Sequence, residues 1–183
     1  MTFKITYNAP VTLSLIALSI VILLLNMVFP TLIPHYFSLG GSITISNPTD
    51  ILRLFTHILG HSGFDHLFGN ALLILLLGPI LEDKYGPKKL LLIIMVTALV
   101  TGVVNILLFS TGIMGASGVV FAFIILASIV NVKSGALPLT FILIFTIYIG
   151  RELVDIFNND NISQISHIVG GLVGAGFGFW LKR

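Results

Sequence analysis

The feature that most limits the possible folds of this chain is an uncharged, apolar stretch over residues 90 to 132. A single helix of that length would extend about 65 Å, roughly twice the thickness of the hydrocarbon core of a bilayer. The stretch therefore predicts two membrane-spanning helices in succession. Ser, Thr and Gly cluster in FSTGIMG, residues 109 to 115, and this cluster predicts the break between the two spans.

The composition extends this reading to the whole chain, since 56% of its 183 residues are hydrophobic, only 9% are charged, and the mean hydropathy is +1.10. These values exclude an ordinary soluble domain. The first apolar run is too long for the apolar region of a signal peptide, so we expect it to be retained. We predict a single-domain, all-α membrane protein over residues 1–183 whose six helices span about 9–29, 66–82, 89–110, 115–132, 136–152 and 163–181.

The basic residues indicate an orientation. If both termini are cytoplasmic, most of the basic residues lie on the cytoplasmic side of the membrane, where Lys and Arg are favoured. We therefore expect both termini in the cytoplasm and an integral, multi-pass protein of a bacterial plasma membrane. The scatter of these residues argues against a nucleic-acid partner. The inside segments would carry Lys4, Lys84, Lys88, Lys89, Lys133, Lys182 and Arg183, against Arg53 and Arg151 outside.

The first loop, residues 30–65, is too long for a simple connector. It mixes Leu, Ile and Phe with Pro, Gly, Ser and His, so we expect it to be structured and to lie against or partly in the membrane. Its His57 and His61 are interpreted as hydrogen-bonding members of the loop. Their spacing is compatible with metal ligands, but the chain has no cysteine and no carboxylate cluster completes a site, so we predict no metal.

Four polar residues at membrane depth are the candidates for function, because polar side chains are costly there. His66 and Asn70 are four positions apart and share one face of the second span, near its outer end. Ser117 opens the fourth span and His167 lies near the start of the sixth, and both of these helices enter from the outer side. The topology therefore predicts that all four lie at similar depth on the extracytoplasmic side.

A serine hydroxyl becomes a nucleophile when a base within hydrogen-bond reach accepts its proton, and histidine suits this role. Ser117 and His167 form such a pair if their helices touch. Small residues allow that approach, because Gly170, Gly174 and Gly178 follow the histidine at every fourth position and match Gly118 and Ala122. His66, Asn70 and the Ser117 backbone N–H could then stabilise an oxyanion.

Each residue alone also permits a simpler interpretation. Ser117 within GASG is typical of helix packing, and His167 could be a structural or proton-handling histidine. A channel or transporter would require polar residues deeper in the membrane, whereas the second span continues as ALLILLLGPI. Asp155 and Asp160 are near His167 in sequence but are assigned to a solvated loop. The combination on one side of the membrane favours catalysis.

Three motifs resemble those of the rhomboid family of intramembrane serine proteases. GASG at 115–118 is similar to its GxSG motif, HLFGN at 66–70 to its HxxxN motif, and HIVGGLVG from His167 to its histidine-glycine motif. The resemblance covers nearly the whole chain, as a six-helix core. It implies an endopeptidase that needs no cofactor, with Ser117 as nucleophile, His167 as general base, and His66 and Asn70 in the oxyanion hole.

The resemblance also implies substrates that are single-pass membrane proteins within the lipid bilayer, a lateral entrance near the second and fifth spans, and a capping loop around residues 153–162. Arg53 and Glu82 are similar to structural residues of the family. Two positions depart from it, with Phe121 where Tyr is frequent and Leu52 where Trp is common. The alternative is a catalytically inactive relative that binds membrane clients, which predicts loss of the serine or the histidine, and this sequence has both.

Overall fold

The computed structural model describes residues 6–129, 139, 142, 143, 146, 147 and 161–181. Over these residues the chain is helical and contains no β-strand, apart from one isolated antiparallel bridge between Leu39 and Ile113. The predicted all-α class is confirmed for this part of the chain. The helices are α1 (Pro10–Val28), α2 (Leu32–Tyr36), α3 (Pro48–Thr56), a short 3-10 helix (His57–Leu59), α4 (Phe64–Tyr85), α5 (Pro87–Leu108), α6 (Ser117–Ile129) and α7 (Asn161–Trp180).

Three of the described helices are long and apolar enough to cross a bilayer, namely α1 with 19 residues and α4 and α5 with 22 each. They correspond to the first three predicted spans, although α4 extends beyond the predicted 66–82 at both ends. Two shorter apolar helices, α6 and the Ile165–Trp180 part of α7, correspond to the fourth and sixth spans. The predicted fifth span, 136–152, lies mostly outside the described residues.

Two helices begin within two residues of the approximate bounds of the predicted segments. Helix α6 begins at Ser117, the residue expected to open the fourth span of about 115–132, and Gly115 before it has φ of 119°, a left-handed conformation that cannot continue a helix. Helix α7 begins at Asn161, within the last two residues of the loop predicted around 153–162. The remainder of that loop, with Asp155 and Asp160, lies outside the described residues.

A buried carboxylate joins α1 to α4. Glu82, which is 3% exposed, accepts hydrogen bonds from the backbone N–H groups of Val11 and Thr12, both at 2.9 Å, and from the Thr12 hydroxyl at 2.8 Å. These N–H groups belong to the first turn of α1, where no carbonyl of the helix can accept from them and where negative charge is favoured. Gly78, one turn before Glu82, allows the approach, since a Cβ there would lie 2.5 Å from Thr12 Cγ2. Glu82 thus has the structural role predicted for it.

The first loop is structured, as predicted, and contains α2, α3 and the 3-10 helix. Arg53 holds it together by donating to Asp50 at 2.9 Å and to the His35 carbonyl at 2.7 Å. Two backbone hydrogen bonds between Leu39 and Ile113, at 3.0 and 2.9 Å, attach the loop to the segment that precedes α6. The loop therefore supports the entry into α6.

Helix α6 lies at the centre of the described helices. Its residues from Gly118 to Leu126 are all buried, as expected for a helix that is apolar on every side. Helix α7 makes the most extensive contact with it among the described elements. A Cβ on Gly170 would overlap the Gly118 backbone, and one on Gly174 would overlap the backbone of Ala122. The predicted contact between the two small-residue surfaces is confirmed.

Candidate active site

Ser117 stands at the first position of α6, at the end of a segment fixed by three other parts of the chain. Asn105 of α5 donates to the Thr111 carbonyl at 2.9 Å, and the Gly115 N–H donates to the His57 carbonyl at 2.9 Å. Together with the bridge at Ile113, these bonds fix the backbone immediately before Ser117. The serine is half-buried, and the N–H groups of the first helical turn have no acceptor within their own helix.

A cavity of about 230 Å³ opens in front of Ser117, and this volume can hold several water molecules. The first loop, the segment before α6, and helices α4, α5 and α7 all contribute to its walls. Ser117 and His66, predicted from separate motifs, therefore line the same cavity. Its lining also includes His57, Ser62, Thr101, Gly115 and Ser166.

His66 and Asn70 converge on one point beside Gly115. A Cβ on this glycine would lie 2.6 Å from His66 Nε2 and 3.7 Å from Asn70 Nδ2, so the absence of a side chain leaves space that both nitrogens face. Ser62 Oγ lies 3.1 Å from His66 Nδ1, on the other side of the imidazole ring. Asn70 is buried and His66 is half-buried. Two side chains capable of donating hydrogen bonds therefore flank a vacant position two residues before Ser117.

His167 lies on the face of α7 that packs against α6. Its imidazole stacks on Phe121, with ring centroids 4.3 Å apart and planes inclined by 7°. The adjoining Ser166 carbonyl oxygen is 3.4 Å from the position of a Cβ on Gly118, the residue after Ser117. Phe121 lies one turn after Ser117 on α6, so the stack places His167 against the helix that carries Ser117.

Sequence reasoning missed a link between His61 and Asn70. The Asn70 amide nitrogen lies 3.1 Å from His61 Nε2, and His61 Nδ1 lies 3.2 Å from the Leu59 carbonyl oxygen. His61 is only 2% exposed, and this burial lowers its pKa to about 4. The signal in the sequence was weak, because the two residues are nine positions apart and a loop separates them, so helical periodicity does not relate them.

His57 also contacts the cavity, from the 3-10 helix. Its Nε2 lies 3.1 Å from the Ala98 carbonyl oxygen of α5, and burial lowers its pKa to about 4. As predicted, it is a hydrogen-bonding member of the first loop. Among the described residues, no group of three or more His, Asp or Glu side chains is placed to hold a metal ion, and the absence of a metal from this protein stays a prediction.

Comparison with known protein families gives one match. The family model of the rhomboid domain matches residues 48–183. The matched region begins at the first residue of α3 and includes Ser117, His167, His66 and Asn70. No curated protein matches the chain.

Proposed function

This chain belongs to the rhomboid family, and on that premise we propose that it is an intramembrane serine endopeptidase that hydrolyses peptide bonds in or near the transmembrane helices of single-pass membrane proteins. The observation that carries the proposal is the convergence of His66 Nε2 and Asn70 Nδ2 on the vacant position beside Gly115, within reach of the cavity that Ser117 lines. Donors aimed at one vacant point are what a developing oxyanion requires.

In the proposed reaction, Ser117 Oγ attacks the carbonyl carbon of the scissile bond while His167 accepts the hydroxyl proton. The carbonyl oxygen becomes an oxyanion that receives hydrogen bonds from His66, Asn70 and the Ser117 backbone N–H. His167 then returns the proton to the leaving amine, and the carbon–nitrogen bond breaks. A water molecule in the cavity, deprotonated by His167, then attacks the acyl carbon. The bond between that carbon and Ser117 Oγ breaks, and His167 returns the proton to Ser117 Oγ.

A dyad lacks the carboxylate that holds the imidazole orientation in a Ser-His-Asp triad. Stacking on Phe121 supplies a different constraint, because two parallel rings 4.3 Å apart restrict rotation of the His167 ring. The contact between Gly170 and the Gly118 backbone limits the distance between the two helices. Packing thus restricts the orientation of the His167 ring, as the acidic side chain does in a triad.

The proposed substrates are helices that unwind easily at their outer end. A peptide bond inside a transmembrane helix is shielded by its own hydrogen bonds, so it must unwind before it can enter the cavity. Polar groups of the cavity and the water that it can hold would satisfy the backbone groups freed by unwinding. Entry between the second and fifth spans and a cap formed by the segment that precedes α7 are part of this proposal.

The test is cleavage of a single-pass membrane protein by the purified chain in detergent or liposomes. Ser117→Ala should abolish cleavage, because it removes the nucleophile. Ser128→Ala is the matched control, since Ser128 is a serine of the same helix whose Oγ donates to the Ile125 carbonyl, 2.6 Å away, and it does not line the cavity. Substrate capture without cleavage by the wild-type protein would instead favour the client-binding alternative. Cleavage that survives in Ser117→Ala would contradict the proposed mechanism.

A further inference from the structure

The histidine that contacts Asn70 stands where the first loop turns into α4. His61 follows the 3-10 helix His57–Leu59 and precedes Phe64, the first residue of α4. The side chain is almost completely buried, and its ring meets the His66 ring edge to face with centroids 5.0 Å apart. His61 therefore lies between a rigid turn and the two side chains proposed to stabilise the oxyanion.

The surroundings of His61 determine which of its nitrogens carries the proton. A backbone carbonyl can only accept a hydrogen bond, so the Leu59 oxygen at 3.2 Å requires a proton on His61 Nδ1. The buried ring is neutral near pH 7, so it carries one proton only, and Nε2 is left as an acceptor. Whatever faces Nε2 at 3.1 Å must donate, and that group is the side chain of Asn70.

This requirement fixes the orientation of the Asn70 carboxamide. A rotated amide would place Oδ1 against the lone pair of His61 Nε2, and two acceptors would face each other without a proton between them. The amide nitrogen is therefore held on the side of His61. An amide nitrogen carries two hydrogens, and only one is used by His61. The same Nδ2 lies 3.7 Å from the vacant position beside Gly115, so the second hydrogen is available there.

We propose that His61 is a positioning residue that holds the Asn70 carboxamide with its N–H group toward the oxyanion, through the sequence Leu59 carbonyl, His61 imidazole and Asn70 amide. The inference rests on the proposed function. Without His61, the carboxamide can rotate and present its oxygen, which repels an oxyanion instead of stabilising it. The effect belongs to the transition state, so it reduces kcat and leaves KM largely unchanged.

His61→Phe is the primary variant, because it keeps a ring against His66 and removes both hydrogen bonds. We expect kcat to fall at least about 10-fold, and by no more than the roughly 10²- to 10³-fold loss that follows complete removal of one oxyanion donor from a hydrolase, and KM to stay within about twofold. His61→Gln should recover part of the loss, since its carbonyl oxygen can accept from Asn70. Glu82→Gln serves as the control for lost stability, because Glu82 is buried but does not line the cavity.

A double-mutant cycle separates positioning from a merely structural role. In an Asn70→Ala background, His61→Phe should cost less than about twofold further in kcat, because the amide that His61 holds is already absent. Losses that multiply, or a His61→Phe kcat within twofold of wild type, would overturn the inference. The cycle is repeated with His61→Met, whose flexible side chain fills the site differently, and it should give the same coupling. The first measurement of the series is the activity of the wild-type protein, and an inactive wild-type protein would overturn the proposed function itself.

Discussion

The imidazole of His167 lies flat against the ring of Phe121, with the centroids 4.3 Å apart and the planes inclined by 7°. This stack joins α7 to α6 one turn after Ser117. It places the proposed general base on a rigid, buried surface, since Phe121 is only 8% exposed. The aromatic ring is the feature that matters here, because the phenylalanine has no hydroxyl with which to bond the histidine.

Phe121→Leu should lower kcat about 2- to 10-fold. The substitution removes an aromatic pair whose interaction energy of about 0.5–1.5 kcal/mol holds the His167 ring in its orientation. Phe121→Tyr is the matched control and should remain within about threefold of wild type, since it keeps the ring. Both variants are compared with wild type in initial rates of cleavage of a single-pass substrate. Equal rates for the leucine and tyrosine variants would show that the stack does not orient the base.

Gly170→Ala should destabilise the protein by about 2 kcal/mol or more and greatly reduce cleavage. The new methyl group would overlap the Gly118 backbone, and backbone cannot move aside as a flexible side chain can. Gly176→Ala is the control, because a Cβ on Gly176 would meet no described atom within 4 Å. Thermal unfolding in detergent measures the first effect. A Gly170→Ala protein as stable and active as Gly176→Ala would contradict the close approach of α6 and α7.

Glu82→Gln should lower the free energy of unfolding by about 1–3 kcal/mol while the turnover of folded molecules stays unchanged. In glutamine one of the two accepting oxygens is replaced by an NH2 group, which cannot accept the hydrogen bonds from the start of α1. Part of the buried network is therefore lost. Asp83→Asn is the matched control, since Asp83 is the exposed neighbour. Unfolding by denaturant in mixed micelles provides the measurement, and equal stability of both variants would refute a structural role for Glu82.

Stability should fall as the pH is lowered from about 6.5 toward 4. Burial lowers the pKa of His57 and of His61 to about 4, so in this window the unfolded chain binds protons that the folded protein does not. Each histidine then reduces stability by about 1.4 kcal/mol per pH unit, and the full stability is present above about pH 6.5. The measurement is the unfolding midpoint at several pH values. His57→Gln and His61→Gln should each flatten the slope, and a wild-type midpoint unchanged between pH 7 and 5 would contradict the assignment.

The sequence was sufficient for those features that depend on hydropathy and helical period. The spans α1, α4 and α5 follow from uncharged runs, and the contact of α7 with α6 follows from glycines at every fourth position. The convergence of His66 and Asn70 also follows, because residues four apart share a helix face. In each case the physical rule is local or periodic, so it can be applied without knowing the rest of the fold.

Contacts across turns could not be predicted in this way. The bond between His61 and Asn70 depends on how the chain turns between the 3-10 helix and α4, and the bridge of Leu39 with Ile113 joins two distant loops. The positive φ of Gly115 could not be predicted either, since nothing in the sequence reveals the backbone conformation of this glycine. Such features arise from tertiary packing, and they determine the details of the candidate site.

The most direct test of the central claim is the position of a fluorophosphonate adduct, located by mass spectrometry on the purified protein. A nucleophilic serine activated by a base should react, so the account predicts a single adduct on Ser117 and loss of labelling in His167→Ala protein that remains folded. An adduct on another residue, or full labelling of the His167→Ala protein, would contradict the Ser117–His167 dyad.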